Sequence, residues 1–235
     1  FQNYLFHLIL GGNRMIKLAI FDLDQTLLNT LPRFHRIFNL ALKHFKAPEI
    51  SWEEFISSYE DDTLNKFIPI EPRQFWDYFL EHYNDVECIR DTLIDGASEC
   101  LSYLQSLGIK IVIITGRMVS RQEVWKELRR FGIDRYVDFV YTRLDNYEDG
   151  KKRTELIREA MRKFKVEAHE TIFVGDYWPD MESGRDAGVF TIGVLTGLES
   201  EEKLRAHGAD EVIESVKFLP NFIRGFETRF GGAFK

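Results

Sequence analysis

Cysteine, proline and long apolar runs are all scarce in this 235-residue chain, and each shortage excludes a class of protein. The two cysteines, Cys88 and Cys100, stand far apart without CxxC spacing, so we expect buried thiols and neither a disulfide framework nor a zinc site. The six histidines follow no ligand spacing. No GxxxxGKS/T motif occurs, which leaves nucleotide binding through a P-loop without support.

Positive charge is also in deficit. The net charge of −7 argues against a general binder of nucleic acids or anionic membranes. The apolar run YLFHLIL near the start is too short to span a bilayer, and it lacks the basic start and cleavage site of a secretory signal. We therefore expect residues 1–14 to be an N-terminal extension and the protein to be cytoplasmic, with no nucleic-acid or membrane partner.

Five short apolar runs alternate with helical stretches along the chain. The runs are rich in Ile and Val, as is typical of parallel strands that are buried on both faces. Several of the helical stretches end in a glycine, as at Gly108 and Gly132. This alternation predicts an α/β fold with a doubly wound, mostly parallel sheet. The predicted strands are residues 16–21, 109–115, 138–142, 170–176 and 189–194.

One segment, residues 31–94, interrupts the alternation because it carries helix signals and no convincing strand. Pro32 lies near a helix start, Ser51 and Glu54 form a capping-box pattern, and residues 71–84 are rich in aromatic side chains. We interpret those aromatic residues as helix core in preference to a role in stacking on a substrate. The segment is predicted to be a small helical cap, inserted into a core made of residues 15–30 and 95–235.

Two carboxylates follow the first predicted strand, where a buried run would not be expected to end in like charges. Asp22 and Asp24 lie two residues apart, and Thr26 comes next. Burying one carboxylate costs free energy, and a second like charge beside it adds to that cost. A divalent cation and a nearby lysine would offset the cost, so the pair indicates chemistry.

The ends of the other predicted strands bring compatible groups to the same edge of the sheet, where ligands bind in open α/β folds. Magnesium takes oxygen ligands, and a phosphoryl group needs hydrogen-bond donors and positive charge around its oxygens. The combination therefore predicts a Mg²⁺ ion and a phosphoryl group at this edge. The groups are Thr115, Gly116, Arg117, Lys151, Asp176 and Asp180.

In this order, the motifs resemble those of the haloacid dehalogenase-like superfamily, and the resemblance covers Met15 to about Ile223. The helical insertion lies where that family carries its cap, between the first and second motifs. Gln25 stands where glycine is common in the family, and Lys151 is not followed by the frequent proline. The matching motifs are Asp22-x-Asp24-x-Thr26, the strand end at Thr115, Lys151, and Gly175-Asp176-x-x-x-Asp180.

The resemblance implies a Mg²⁺-dependent phosphatase that hydrolyses a small organic phosphomonoester, such as phosphoglycolate or a sugar phosphate, through an aspartyl-phosphate. Asp22 would be the nucleophile, Asp24 the acid and base, and Lys151 the cation that neutralises the reacting charge. The phosphoryl oxygens would be held by Thr26, Thr115, Gly116 and Arg117. The Mg²⁺ ion would be bound by Asp22, the backbone carbonyl of Asp24, Asp176 and Asp180.

The lysine assignment depends on spacing. Lys151, Lys152 and Arg153 lie where a helix is about to begin, and cations there oppose the helix dipole. The separation between Lys151 and Asp176 resembles the family's spacing from lysine to acid, so Lys151 is the predicted site residue. We interpret Lys152 and Arg153 as a solvated basic cluster.

Other interpretations stay open. A phosphotransferase or sugar-phosphate mutase would use the same residues and would differ in whether water is excluded from the acyl phosphate. A phosphorelay receiver or an inactive binding module is a further alternative, although Asp24 argues against a receiver and against a dehalogenase. Asp176 and Asp180 could simply cap a helix. A calcium loop is excluded, because Leu27 and Arg33 stand where the EF-hand pattern needs Gly and Glu.

Overall fold

The computed structural model describes residues 16–83, 91–147 and 153–231. Six strands form one parallel sheet, and two further short strands lie outside it. The strands are β1 (Leu18–Phe21), β2 (Leu28–Asn29), β3 (Thr92–Leu93), β4 (Lys110–Ile114), β5 (Phe139–Tyr141), β6 (Thr171–Gly175), β7 (Phe190–Val194) and β8 (Glu211–Ile213). The sheet order is β5-β4-β1-β6-β7-β8, and β2 pairs with β3 as a separate antiparallel ribbon.

The helices divide into three that belong to the insertion and others that cover the sheet. Within the described ranges, no helix combines the length and the apolar character that crossing a membrane would require. The helices are α1 (Leu31–His44), α2 (Trp52–Glu60), α3 (Pro72–His82), α4 (Ala97–Ser106), α5 (Arg121–Arg130), α6 (Leu144–Tyr147), α7 (Arg153–Phe164), α8 (Trp178–Ala187), α9 (Glu201–Ala206) and α10 (Leu219–Gly231).

Alternate residues of the central strands face two separate apolar layers. Ala19 and Phe21 of β1 lie in a cluster with side chains of α4, α5 and α10, whereas Leu18 and Ile20 lie in a second cluster with side chains of α7. Helices therefore cover both faces of the sheet. That arrangement explains why its strands are nearly continuous apolar runs in the sequence.

The sheet has a topological switch at β1, because the chain continues to β4 on one side and later to β6 on the other. In open parallel sheets, a crevice forms at such a switch, beyond the carboxyl ends of the strands. Asp22, Thr115 and Asp176 are the first residues after β1, β4 and β6. The strand order thus brings these three residues to one crevice.

The inserted helices have an apolar core of their own. Phe38 of α1, Phe55 of α2 and Phe75 of α3 are each fully buried and belong to one cluster. Ring contacts join them, with centroids 5.1 Å apart for Phe38 and Phe75. The cap can therefore hold its shape by its own aromatic packing. In the sequence, β2 lies just before the inserted helices and β3 lies just after them.

The predicted α/β class with an inserted helical region is confirmed, and each of the five predicted strands contains an observed strand. Three short strands were not predicted. β2 and β3 have two residues each, and β8 is only half-buried, so none of them leaves a clear apolar pattern. Cys100 is buried as expected. The predicted extension at 1–14, residues 84–90 of the predicted cap and Cys88 lie outside the described residues.

The packing of the cap makes a testable prediction. Phe38→Ala should lower the free energy of unfolding by about 3–5 kcal/mol, because it removes a fully buried ring from the centre of the aromatic cluster. Leu40→Ala is the matched control, since Leu40 lies on the same helix and is 42% exposed; its effect should stay within about 0.5 kcal/mol. Urea unfolding of wild type and both variants measures these free energies. Equal losses of stability in the two variants would contradict the prediction.

Candidate active site

The turn after β1 places two carboxylates at the floor of a cavity. The N–H of Asp22 donates to the carbonyl of Val174 on β6 (2.9 Å), so Asp22 emerges where strand pairing ends. Gln25 has φ of 60°, in the left-handed region that glycine adopts most readily. This backbone geometry explains why glycine suits the position. Gln25 is held there by its own N–H, which donates to the carbonyl of Leu28 (2.6 Å).

Three buried carboxylates meet beside this turn. Asp22, Asp176 and Asp180 each offer an oxygen, and these oxygens all lie within 4.8 Å of one another. Asp176 follows β6, and Asp180 lies in the first turn of α8, where its Oδ2 accepts a hydrogen bond from the N–H of Tyr177 (3.2 Å). The backbone leaves room for them only because two residues lack a side chain: a Cβ at Gly175 would meet Asp180, and one at Gly197 would overlap Asp176.

The electrostatics of this cluster favour a bound cation. Burial raises the pKa of Asp22 from 3.8 to about 7, and the nearby Arg153, which lowers it, offsets this only in part. Burial and the charge of Asp22 likewise raise the pKa of Asp176 well above its ordinary value. Charged oxygens this close repel one another unless a cation lies among them. A divalent ion that prefers oxygen ligands, such as Mg²⁺, fits this donor set.

Thr26 holds one carboxylate of the cluster through a hydrogen bond. Its side chain is fully buried, and its hydroxyl donates a hydrogen bond to Oδ1 of Asp176 (3.0 Å). The resemblance implied that Thr26 would hold a phosphoryl oxygen. In the structure its one hydroxyl proton goes to Asp176 and Thr26 is not among the residues that line the cavity, so Thr26 orients a carboxylate here and its phosphate-binding role stays a prediction.

Arg153 differs most from the sequence-based expectation. We expected it to belong to a solvated basic cluster, but its guanidinium lies 3.4 Å from Oδ1 of Asp22 and forms an ion pair with Asp180. The same group borders Gly116, where a Cβ would lie 3.2 Å from Nη2. Arg153, the first residue of α7, thus brings positive charge to two of the three carboxylates in the cluster, Asp22 and Asp180.

Asp24 is held by a second arginine. Arg117 donates to both carboxylate oxygens of Asp24, from Nε at 2.8 Å and from Nη2 at 2.6 Å, and the hydroxyl of Thr30 donates to Oδ1 (2.6 Å). Burial raises the pKa of Asp24, but the charge and hydrogen bonds of Arg117 outweigh burial and lower the pKa overall. Arg117 was expected to hold a phosphoryl oxygen; in this structure its donors point to carboxylates.

The Asp24–Arg117 pair continues into a buried network that joins the core to the cap. Glu127 of α5 accepts hydrogen bonds from both Arg117 and Arg33. Arg33, on α1 of the cap, also binds Asp91 through Nε (2.7 Å), and both of these side chains are 4% exposed. The acid–base candidate is thus linked through four side chains to the segments where the chain enters and leaves the insertion.

Three further predicted residues have different outcomes. Gly116 lines the cavity, and its role in phosphate binding stays a prediction. Thr115 is buried at the end of β4, where its hydroxyl accepts a hydrogen bond from the N–H of Arg117 (3.3 Å), so it shapes the strand-end turn. Lys151 and Lys152 lie outside the described residues, and the role of Lys151 stays a prediction.

A cavity of about 600 Å³ opens above the carboxylates. Its floor includes Asp22, Asp24 and Asp176, and its upper wall includes side chains from all three helices of the cap. Of the aromatic residues that we interpreted as helix core, Phe75 is fully buried and does not line the cavity. Phe79 and Tyr83 belong to the core cluster of the cap, Trp76 packs against it, and all three line the cavity as well.

Arg153 and Arg33 are the residues that sequence reasoning missed, although helical spacing could have revealed both. Arg153 precedes Leu156, Ile157 and Ala160 by three, four and seven residues, and these three form the buried face of α7. Arg33 precedes the buried Ile37 by four residues on α1. A cation in line with an apolar helix face indicates a buried partner.

The raised pKa of Asp22 predicts how the metal-free protein responds to pH. Its folded pKa of about 7 exceeds the ordinary 3.8, so the folded state binds more protons between these values and loses stability as the pH rises through them. Asp22→Asn removes that loss. In EDTA at pH 8, the variant should be more stable than wild type by roughly 1–4 kcal/mol, seen as a higher melting temperature.

At pH 4 the difference should be close to zero. Asp186→Asn is the control, because Asp186 is largely exposed in its ion pair with Arg185 and should change little at any pH. A variant less stable than wild type at pH 8, or a difference that does not depend on pH, would contradict the assignment.

Comparison with known proteins places this geometry in a family. The family model for haloacid dehalogenase-like hydrolases matches residues 19–194. Pyrophosphatase PpaX from Bacillus pumilus is 27% identical over 208 residues, covering 87% of this chain and 94% of its own, and PpaX from Listeria monocytogenes is 27% identical over 220 residues, covering 90% and 98%.

Solved structures share the fold. A predicted phosphatase from Clostridium acetobutylicum superposes with a TM-score of 0.73 at 21% identity, covering 90% of this chain and 99% of its own. A predicted phosphoglycolate phosphatase from Haemophilus somnus gives 0.70 at 21% identity with the same coverage. With a parallel sheet that gathers three buried carboxylates at its switch point, an inserted helical cap and a family match over most of its length, the chain belongs to the haloacid dehalogenase-like hydrolases.

Proposed function

We propose that the chain is a Mg²⁺-dependent phosphatase, which hydrolyses a small organic phosphomonoester through an aspartyl-phosphate on Asp22. The observation that carries the proposal is the meeting of Asp22, Asp176 and Asp180 at the floor of a cavity that also contains Asp24. Asp22, the backbone carbonyl of Asp24, Asp176 and Asp180 would hold the ion. Bound there, Mg²⁺ would neutralise the negative charge of Asp22 and of the phosphoryl group.

In the first half of the reaction, a carboxylate oxygen of Asp22 attacks phosphorus. A P–O bond to Asp22 forms while the P–O bond to the leaving group breaks, and the leaving oxygen takes a proton from Asp24. Arg153 lies beside Asp22 and would stabilise the negative charge of the transferring group. The cap would exclude water at this stage, because its side chains form the upper wall of the cavity.

In the second half, Asp24 takes a proton from water, the water oxygen attacks phosphorus, and the bond to Asp22 breaks, which releases phosphate. The ion pair with Arg117 favours the ionised form of Asp24 that this half requires. The first half requires the protonated form. The negative charge of an arriving phosphoryl group would raise the pKa of Asp24 and so supply it.

The relatives support hydrolysis of a phosphate compound but leave the substrate open. The PpaX proteins are described as pyrophosphatases, and one similar structure is described as a predicted phosphoglycolate phosphatase. A phosphotransferase or mutase would use the same carboxylates and would pass the phosphoryl group to a second alcohol. Release of free phosphate in water distinguishes hydrolysis from transfer.

The direct test measures phosphate release from p-nitrophenyl phosphate. Wild type with Mg²⁺ should turn over, EDTA should abolish turnover, and Asp22→Asn should lower kcat by at least about a thousandfold, because the amide cannot act as the nucleophile. Circular dichroism of the variant serves as the folding control. Turnover by Asp22→Asn within tenfold of wild type, measured on protein free of contaminating phosphatase, would refute the mechanism.

Arg153 supplies a sharper test of the positive charge at the site. Arg153→Gln should lower kcat by about 10²–10³-fold, the usual cost of losing one group that stabilises developing negative charge, and Arg153→Lys should recover part of the loss. Arg158→Gln is the matched control, because Arg158 lies on the same helix in an exposed pair with Glu155. Full activity in Arg153→Gln together with loss in Lys151→Ala would return the role to Lys151.

A further inference from the structure

The upper part of the cavity differs chemically from its floor. The floor is built mainly from carboxylates and arginines of the core. The cap contributes mostly aromatic and aliphatic side chains, together with the polar Ser58, Asp62 and Asn65. Six of the aromatic and aliphatic side chains form the surface that we call the aromatic wall, namely Phe34, Tyr59, Trp76, Phe79, Leu80 and Tyr83. A leaving group that extends from a phosphoryl group on Asp22 toward the cap would meet these side chains.

The aromatic wall is already assembled around one ring. Phe34 lies at its centre, with ring centroids 4.6 Å from Phe79, 5.5 Å from Tyr59 and 6.1 Å from Trp76. The indole N–H of Trp76 donates to Oδ1 of Asn65 (2.8 Å), so the polar edge of this ring has a partner within the cap. A ligand therefore meets apolar ring surface in positions fixed by mutual packing, which lowers the ordering cost of binding.

The charge around the wall argues against a second anionic group in the substrate. Among the described residues that line the cavity, Arg117, Arg143 and Arg153 all come from the core, and the cap supplies only the acid Asp62 as a charged side chain. Arg117 and Arg153 are already engaged with the floor carboxylates. A carboxylate or a second phosphate near the cap would face Asp62 and the electron-rich faces of aromatic rings.

The volume is consistent with a ring. The cavity of about 600 Å³ lies within the range of sites that enclose drug-sized ligands, so space remains above a bound phosphoryl group. Phosphoglycolate and pyrophosphate are small and each carries two anionic groups, so both would leave the apolar wall without a partner.

We propose that the substrate is a phosphomonoester whose leaving group carries a flat apolar ring and no second anionic group, and that the aromatic wall binds this ring. The inference rests on the phosphatase proposed above and names the class of its substrate. Arg143, exposed after β5, is the cation that an anionic leaving group would use instead.

The test compares substrates whose leaving groups depart through the same kind of oxygen. Benzyl phosphate and 2-phosphoglycolate both release a primary CH₂–O group, but one carries a ring and the other a carboxylate. With Mg²⁺, kcat/KM should be at least about tenfold higher for benzyl phosphate, which corresponds to the favourable contact of one aromatic ring. Pyrophosphate should be a poorer substrate than benzyl phosphate as well.

Variants locate the source of the preference. Trp76→Leu keeps an apolar side chain but removes a ring, so it should lower the ratio of kcat/KM for benzyl phosphate over acetyl phosphate by about five- to tenfold. Leu80→Lys adds a cation to the wall and should shift the preference toward 2-phosphoglycolate. Trp52→Leu is the matched control, because Trp52 is a 40% exposed residue of the cap that does not line the cavity. Trp52→Leu should leave kcat/KM for benzyl phosphate and for acetyl phosphate unchanged.

Acetyl phosphate has neither a ring nor a second anionic group, so its hydrolysis tests the proposed function independently of the ring proposal. If wild type hydrolyses acetyl phosphate with Mg²⁺ but prefers 2-phosphoglycolate or pyrophosphate over benzyl phosphate, the ring proposal is overturned and the phosphatase stands. Loss of that preference in Arg143→Gln would then assign the anionic group to Arg143. An unchanged substrate ratio in Trp76→Leu would also overturn the ring proposal. If no phosphate compound is hydrolysed, the proposed function fails and the inference fails with it.

Discussion

Repulsion among carboxylates that are buried within a few ångströms of one another is the constraint on which the rest of this structure depends. Asp22, Asp176 and Asp180 bring oxygens within 4.8 Å in a setting that raises the pKa of two of them. The protein surrounds the cluster with compensating features, which are the Arg153 guanidinium, the hydroxyl of Thr26 and backbone without side chains at Gly175 and Gly197. Such an arrangement is costly without a cation and favourable with one.

A second set of buried charges links this floor to the cap. Arg117 holds Asp24, Glu127 bridges Arg117 to Arg33, and Arg33 in turn binds Asp91. The cap enters and leaves the core beside this network, and Tyr83 at the end of α3 brings its hydroxyl within 3.4 Å of Asp24. The position of the cap and the environment of the acid–base candidate are therefore set by the same side chains, because buried charges need their partners.

Much of the fold could be predicted because apolar periodicity reports burial. The strands at the centre of the sheet are buried on both faces, and their runs of Ile and Val are unmistakable in the sequence. The ends of those strands then predicted which carboxylates would meet. β8 was missed because its three residues are only half-buried, which leaves no pattern.

The carboxylates of the candidate site could be predicted from the sequence, but the positions of its arginine side chains could not. Asp22, Asp176 and Asp180 follow strands whose order the topology fixes, whereas an arginine reaches its partner through a long side chain whose direction the sequence does not state. Arg153 therefore appeared solvated and proved to lie against Asp22. Thr26 and Arg117 were assigned to phosphate on the resemblance, but their hydrogen bonds to Asp176 and Asp24 depend on contacts between distant segments.

Calorimetric titration of the protein with Mg²⁺ tests the central claim, that the buried carboxylates form a cation site. At pH 6.5, in buffers of different ionisation enthalpy, the account predicts one ion bound per chain with release of protons from the cluster, because Asp22 has a pKa of about 7 and must ionise to bind. Proton release should fall at pH 9, and Asp176→Asn should weaken binding strongly. Absence of saturable binding, or binding that Asp176→Asn leaves unchanged, would contradict the account.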